Sequence, residues 1–138
     1  MRAFIDTCSL FKKYAEESGS DELEGILRQV SEVTVSAVAW IEFNSVISRC
    51  LRERRMTPQN SSAVLSEAKK DFQAYSKVVW SDELEEMAAE AAHRCALSSL
   101  DSIQLASGLL SKTDLFVTSD RRLFQEARKV IPSARYIG

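Results

Sequence analysis

One histidine, two prolines, four glycines and three cysteines in 138 residues leave several kinds of chemistry little to work with. Cys8, Cys50 and Cys95 are odd in number and widely spaced, which suits neither a disulfide framework nor a zinc site. They read as buried reduced thiols, in keeping with a reducing compartment. His93 has no Cys or His partner at metal-ligand spacing and reads as structural or exposed. A Gly-x-Ser-x-Gly elbow is missing, and one histidine gives a Ser-His-Asp triad little room. No apolar run approaches the ~18 residues of a membrane-spanning helix, and no signal-peptide pattern opens the chain, so a cytoplasmic location is expected. Charge of one sign is lacking as well: Lys+Arg 18 against Asp+Glu 20 leaves −2. That balance argues against a general nucleic-acid coating protein, though not against an acidic pocket with basic residues on its rim.

What is present is ordinary globular material, 45% apolar and 28% charged, without linker, repeat or low-complexity tract. A single domain over residues 1–138 is expected. Residues 2–6 read as a short buried strand, followed by a short helix carrying Leu10, Phe11 and Tyr14. Leu23, Ile26, Leu27 and Val30 have helical spacing, with Asp21 and Glu24 as a capping pair at its start. Val33 to Ser36 is β-branched and reads as the second strand. A long helix from about residue 38 should bury Trp40, Phe43, Ile47, Cys50 and Leu51. Thr57-Pro58 then caps another helix, whose Val64, Leu65, Ala68, Phe72 and Tyr75 suit a helical hairpin with it.

Lys77 to Trp80 reads as the third strand, and Asp82 with Glu85 as a capping box for the helix of Leu84, Met87, Ala88 and Ala91. Residues 100–111 form a further helix and 115–118 a fourth strand. A last helix carries Leu123, Phe124, Ala127 and Val130, before a terminal strand at Arg135-Tyr136-Ile137. The alternation predicts an α/β domain, a parallel sheet of about four to five strands with helices on both faces. The pattern leaves strand order open.

Four acids draw attention within this frame. Asp6 ends the first strand and Asp120 follows the fourth, while Glu42 lies early in the helix after the second. In a parallel sheet all three should meet one edge, where open α/β folds place their sites. Three of the four have a structural explanation of their own. Asp120 can cap the last helix, Asp101 can serve as a first-turn acid three residues after Ser98, and Glu42 can face solvent. Asp6 alone has no evident structural task. Clustered carboxylates repel by about 4 kcal/mol per pair at 4 Å and an effective dielectric of 20. A hard divalent ion is the simplest offset and would point to phosphoryl chemistry. Spacing alone does not bring Asp101 to the other three.

The segment Met1-Arg2-Ala3-Phe4-Ile5-Asp6-Thr7-Cys8-Ser9-Leu10 resembles the opening of a PIN domain, in particular a VapC-type toxin nuclease. Ser36 to Glu42, Leu100 to Ala106 and Val117 to Leu123 resemble the next three motifs, in order. Ser102 stands where alanine is common, and the pI of about 5.5 leaves the RNA-binding surface unmarked. The resemblance implies a three-layer α/β/α fold, brings Asp101 to the other acids, and makes the chain a Mg²⁺-dependent endoribonuclease, with Mn²⁺ as a substitute.

Asp6, Asp101 and Asp120 would then be ligands, with Glu42 either ligating or orienting a water. Thr7 and Ser119 would support them by hydrogen bonds, and Arg121 and Arg122 would contact RNA. Lys12, Lys13 and the basic run Arg49, Arg52, Arg54 and Arg55 read as solvated surface. An antitoxin partner and a homodimer are also implied. A phosphoaspartyl phosphatase would want an acid at Cys8. A receiver-like signalling module would want a mid-chain phosphoacceptor aspartate, and strand three ends at Trp80-Ser81 instead. A PIN-like domain without activity is the remaining alternative.

Overall fold

The computed structural model describes residues 1–138. It contains β1 (Arg2–Ile5), α1 (Thr7–Phe11), α2 (Ser20–Gln29), β2 (Glu32–Ser36), α3 (Ala39–Arg52) and α4 (Pro58–Ala74). There follow β3 (Ser76–Val78), α5 (Asp82–Cys95), α6 (Ser99–Ser111), β4 (Leu115–Thr118), α7 (Arg121–Val130) and β5 (Ala134–Tyr136). The five strands form one sheet in the order β3-β2-β1-β4-β5, and every neighbouring pair is parallel. The chain builds outward from β1 to β3, then returns across it to lay down β4 and β5. This order also differs from the 2-1-3-4-5 sheet of receiver-type folds.

Strand alternation sorts the core into two layers. Ala3 and Ile5 share one face with Val33, Val35 and Val117, where Leu10, Leu23 and Ile26 cover them. Phe4 and Phe116 point the other way, into Leu105, Leu123 and Ala127 of α6 and α7. Their rings stack at 5.3 Å because the register sets Phe4 beside Phe116. Each such buried side chain contributes about 1.5–3 kcal/mol. α6 lies so close to the sheet that a Cβ at Gly108 would meet the Phe116 ring at 2.4 Å. Helices therefore cover both faces, as the alternation predicts. The hairpin forms too: Phe43, Ile47 and Cys50 of α3 pack with Ala68, Val64, Leu65 and Phe72 of α4.

Several boundaries move. α2 starts at Ser20 rather than from an Asp21–Glu24 pair: Gly19, at φ 91°, makes the turn, and no side chain caps the helix. Glu24 instead pairs with Arg28 one turn on, at 2.5 Å. Ser81, one residue before Asp82, caps α5 by accepting the Leu84 N–H at 3.1 Å. β3 stops at Val78 because its one partner, β2, ends at Ser36 opposite it. Val79 and Trp80 fall beyond the ladder and are exposed, 70% and 52%. Tyr14 lies past the end of α1, and Cys8 is exposed and Cys95 half-buried, so only Cys50 is the buried thiol expected of all three.

Candidate active site

The sheet order reverses around β1, so the carboxyl ends of β1, β2 and β4 share one edge of the molecule. This is the topological switch point, where open α/β sheets bind ligands. Asp6 lies one residue past β1, and its N–H still continues the ladder to the Val117 carbonyl at 3.0 Å. Its side chain is 3% exposed. Oδ1 accepts the Ser9 N–H at 2.9 Å, and Oδ2 accepts the Thr118 hydroxyl at 2.5 Å. Asp6 therefore does have a structural task, as the N-cap of α1. Burial raises its proton affinity above the ordinary aspartate range; the Thr118 and Ser9 bonds oppose this, and the charge of Asp120 adds to it.

Glu42 lies in the first turn of α3, separated from Asp6 by α1, α2 and β2 in sequence and close to it in space. Its Oε1 accepts the Gln104 amide at 2.5 Å and the Thr7 hydroxyl at 3.3 Å. Burial again raises its proton affinity, the bonds from Gln104 and Thr7 oppose, and Asp6 and Asp101 push it further up. Asp101 stands in the first turn of α6, where its N–H donates to the capping Ser98 at 3.2 Å. It is half-buried, and burial followed by the charge of Asp120 raises its proton affinity against Ser98 and Arg122. Asp120 caps α7, accepting the Leu123 N–H at 2.9 Å, and its own N–H donates to the Thr118 hydroxyl at 3.0 Å. Capping and clustering are thus the same geometry: a cap after a parallel strand is aimed at the sheet edge.

Cys8 joins the four acids together. It keeps a solvent-accessible face while protein surrounds the rest of it. Lost hydration and then Asp6, Glu42, Asp120 and Asp101, in that order, push its thiol up to about 12. A group held protonated in this way is neither a nucleophile nor a thiolate ligand at neutral pH. Its value is as a marker, since all four acids bear on one position.

The supporting residues are partly those expected. Thr7 does bond Glu42, while Ser119 pairs with the Ser9 hydroxyl at 2.8 Å rather than with an acid. Gln104, Thr118, Ser9 and Ser36 were not marked in advance. Gln104 is 3% exposed, and its amide nitrogen lies 3.3 Å from both Thr7 and Ser36 besides bonding Glu42. One signal was available: Gln104 follows Asp101 by three residues, on the same helical face. Among the cations, Arg121 lies over the Tyr136 ring at 5.2 Å, and Arg122 donates to the Ala96 carbonyl at 2.8 Å. His93 is exposed in the last turn of α5.

None of the structure's ion pairs includes Asp6, Glu42, Asp101 or Asp120. As placed, no three acidic, histidine or cysteine side chains converge on one metal-sized position. The donor set nonetheless suits a hard cation, because Mg²⁺ keeps most of its waters and takes only one or two carboxylates. Raised proton affinities in acids without a cationic partner are what such an ion relieves.

Among solved structures, the fold is similar to a toxin–antitoxin complex from Klebsiella pneumoniae, with a TM-score of 0.68 at 16% identity, covering 96% of this chain and 95% of that one. It is also similar to FitAcB from Neisseria gonorrhoeae, with a TM-score of 0.69 at 10% identity over 91% and 92% of the two chains. VapBC2 from Rickettsia felis, bound to a promoter DNA fragment, gives a TM-score of 0.70 at 10% identity over 99% and 98%. No curated protein matches by sequence. The family model of the PIN domain matches residues 3–130, so this chain, with its acids gathered at the switch point of a parallel sheet, belongs to the PIN-domain family of nucleases.

Proposed function

We propose that residues 1–138 form a single divalent-metal-dependent endoribonuclease, the toxin of a toxin–antitoxin pair. The observation that carries this is the meeting of Asp6, Glu42, Asp101 and Asp120 at the sheet's switch point with no Lys or Arg paired to any of them. Asp6, Asp101 and Asp120 would hold Mg²⁺ or Mn²⁺, with Glu42 as a ligand or as the group orienting a water. When bound, the ion polarises the scissile phosphate and lowers the pKa of an attacking water. The chain's own residues prepare that site. Ser9 and Thr118 fix both oxygens of Asp6, and Gln104 and Thr7 hold Glu42.

This chemistry needs no substrate 2′-hydroxyl, so the products should carry a 5′-phosphate and a 3′-hydroxyl. The VapC-type resemblance of the four motifs supports RNA as substrate. The fold's likeness to chains from toxin–antitoxin complexes supports an antitoxin partner, and a homodimer goes with the same reading. Arg121 and Arg122, beside Asp120, are proposed to reach substrate phosphates once drawn from Tyr136 and Ala96. The test is RNA cleavage in Mg²⁺ or Mn²⁺ by the wild type, Asp6→Asn and Asp101→Asn, with circular dichroism to verify folding. Loss of cleavage in folded variants is expected. Equal activity in all three, or products ending in 2′,3′-cyclic phosphate, would refute the proposal.

A further inference from the structure

A nuclease whose reacting centre is all acid must hold the neighbouring substrate phosphates somewhere else, because the acids repel them. Most basic residues near the centre are engaged. Lys12 pairs with Glu17 at 3.2 Å and Lys13 with Asp71 at 2.6 Å. Arg122 is tied to the Ala96 carbonyl and Arg121 to the Tyr136 ring. Arg49 enters no ion pair and is exposed. Arg55 pairs only with its near neighbour Glu53, at 2.8 Å, and both side chains are about half exposed, so the pair is weak and a phosphate can displace it.

Arg49 and Arg55 line a cleft of about 140 Å³ together with Cys8, Phe11, Glu17 and Val46. Its Cys8 end lies in the first turn of α1, the helix that Asp6 caps. The basic end is built by two local features. On α3, Glu42, Val46 and Arg49 lie on one helical face, and seven residues put Arg49 about 10 Å along the axis from Glu42. At the end of α3 the chain folds back: Arg55 N–H bonds the Cys50 carbonyl at 2.9 Å and Arg54 N–H the Leu51 carbonyl at 3.1 Å. Arg54 takes a left-handed φ of 57°, completing a Schellman turn that returns Arg55 to the flank of the helix. The one acid in the cleft, Glu17, is offset by Lys12.

We infer that Arg49 and Arg55 form a phosphate-binding wall that guides a single RNA strand into the acid cluster. This rests on the site being an RNA nuclease. The guanidinium fork matches phosphate oxygens, and the ~10 Å between Arg49 and Glu42 along α3 lets one strand touch the wall and reach the acids. An acidic peptide would satisfy the arginines as well, but it carries no phosphodiester for the acid cluster to act on.

The experiment measures kcat and KM for a short single-stranded oligoribonucleotide over a salt series, using wild type, Arg49→Gln/Arg55→Gln and Arg49→Lys/Arg55→Lys. The glutamine variant should raise KM about tenfold and flatten the dependence of log kcat/KM on log salt by about 1.4, two phosphates at ~0.7 each. Its kcat should stay at the wild-type value, and the lysine variant should keep most of the slope. A glutamine variant with wild-type KM and slope overturns the wall while leaving the nuclease reading intact. The same result with weakened binding of a polyaspartate peptide reassigns the cleft to a protein partner and also overturns it. A wild type that cleaves no RNA overturns the nuclease reading, and the wall with it.

Discussion

Replacing Gln104 with leucine removes a polar hub from the site at nearly constant volume. Its amide nitrogen has two hydrogens: one serves Glu42 at 2.5 Å, and the other is shared between Thr7 and Ser36, both at 3.3 Å. Leucine abolishes the bond to Glu42, a contact to a charged group worth about 1.5–3 kcal/mol. It also orphans the Ser36 hydroxyl, which costs about 1–3 kcal/mol. Gln104 Oε1, however, is itself buried without a partner, and its removal returns about the same amount. The last two effects offset, leaving a net loss of about 1.5–3 kcal/mol, readable as a lowered urea midpoint. Glu42 keeps only Thr7, so its proton affinity rises further and its carboxylate is free to turn.

RNA cleavage and divalent-ion affinity should each fall about 10- to 100-fold, the usual cost of losing a partner that orients a ligand. The acid limb of the pH–rate profile should move to higher pH, because Glu42 must be ionised to act. Gln104→His keeps a donor and should restore part of the rate and the position of that limb. A folded Gln104→Leu protein with wild-type rate, ion affinity and pH profile would refute the assignment of Glu42's orientation to Gln104.

Asp6, Glu42 and Asp101 all hold protons more tightly in the folded chain than when unfolded. The folded state therefore binds more protons between the ordinary carboxylate range and their raised values, and metal-free stability should fall as pH rises through that window. Asp6→Asn should raise the metal-free urea midpoint at neutral pH and flatten this slope, while its Oδ1 still caps α1; an unchanged slope would sink the burial argument. Gly108→Ala drives a methyl into the Phe116 ring, which is stacked on Phe4 and has nowhere to go, so a loss of about 1–3 kcal/mol is expected. Thermal melting equal to wild type would show that α6 can lift from the sheet. Arg54→Gly relieves a left-handed residue and should stabilise the chain by about 1 kcal/mol in the same assay, whereas a destabilised variant would mean that the Arg54 side chain outweighs its backbone cost.

Much of the fold was legible one segment at a time. Alternating Ala3, Phe4 and Ile5 announce a strand buried on both faces, and Thr57-Pro58 announces a helix start, because both signals concern a residue's immediate neighbours. The caps were harder to place. At α2 the backbone freedom of Gly19 does the work that a side-chain rule assigns to Asp21, and at α5 the better-positioned Ser81 outcompetes Asp82. The end of β3 was not local at all, since Val79 and Trp80 have strand-like chemistry and lack only a neighbour to pair with.

The same division runs through the site. Sequence alone determined that acids follow three strands closely and that a fourth opens a helix, because those positions are counted along the chain. Tertiary structure decided that β4 returns to lie beside β1, which gives Thr118 the carboxylate of Asp6 and Gln104 the carboxylate of Glu42. Contacts across 112 and 62 residues depend on strand order and register, and no local periodicity encodes either. The free energy that selects them is the burial of two whole faces of the sheet, a property of the assembled chain.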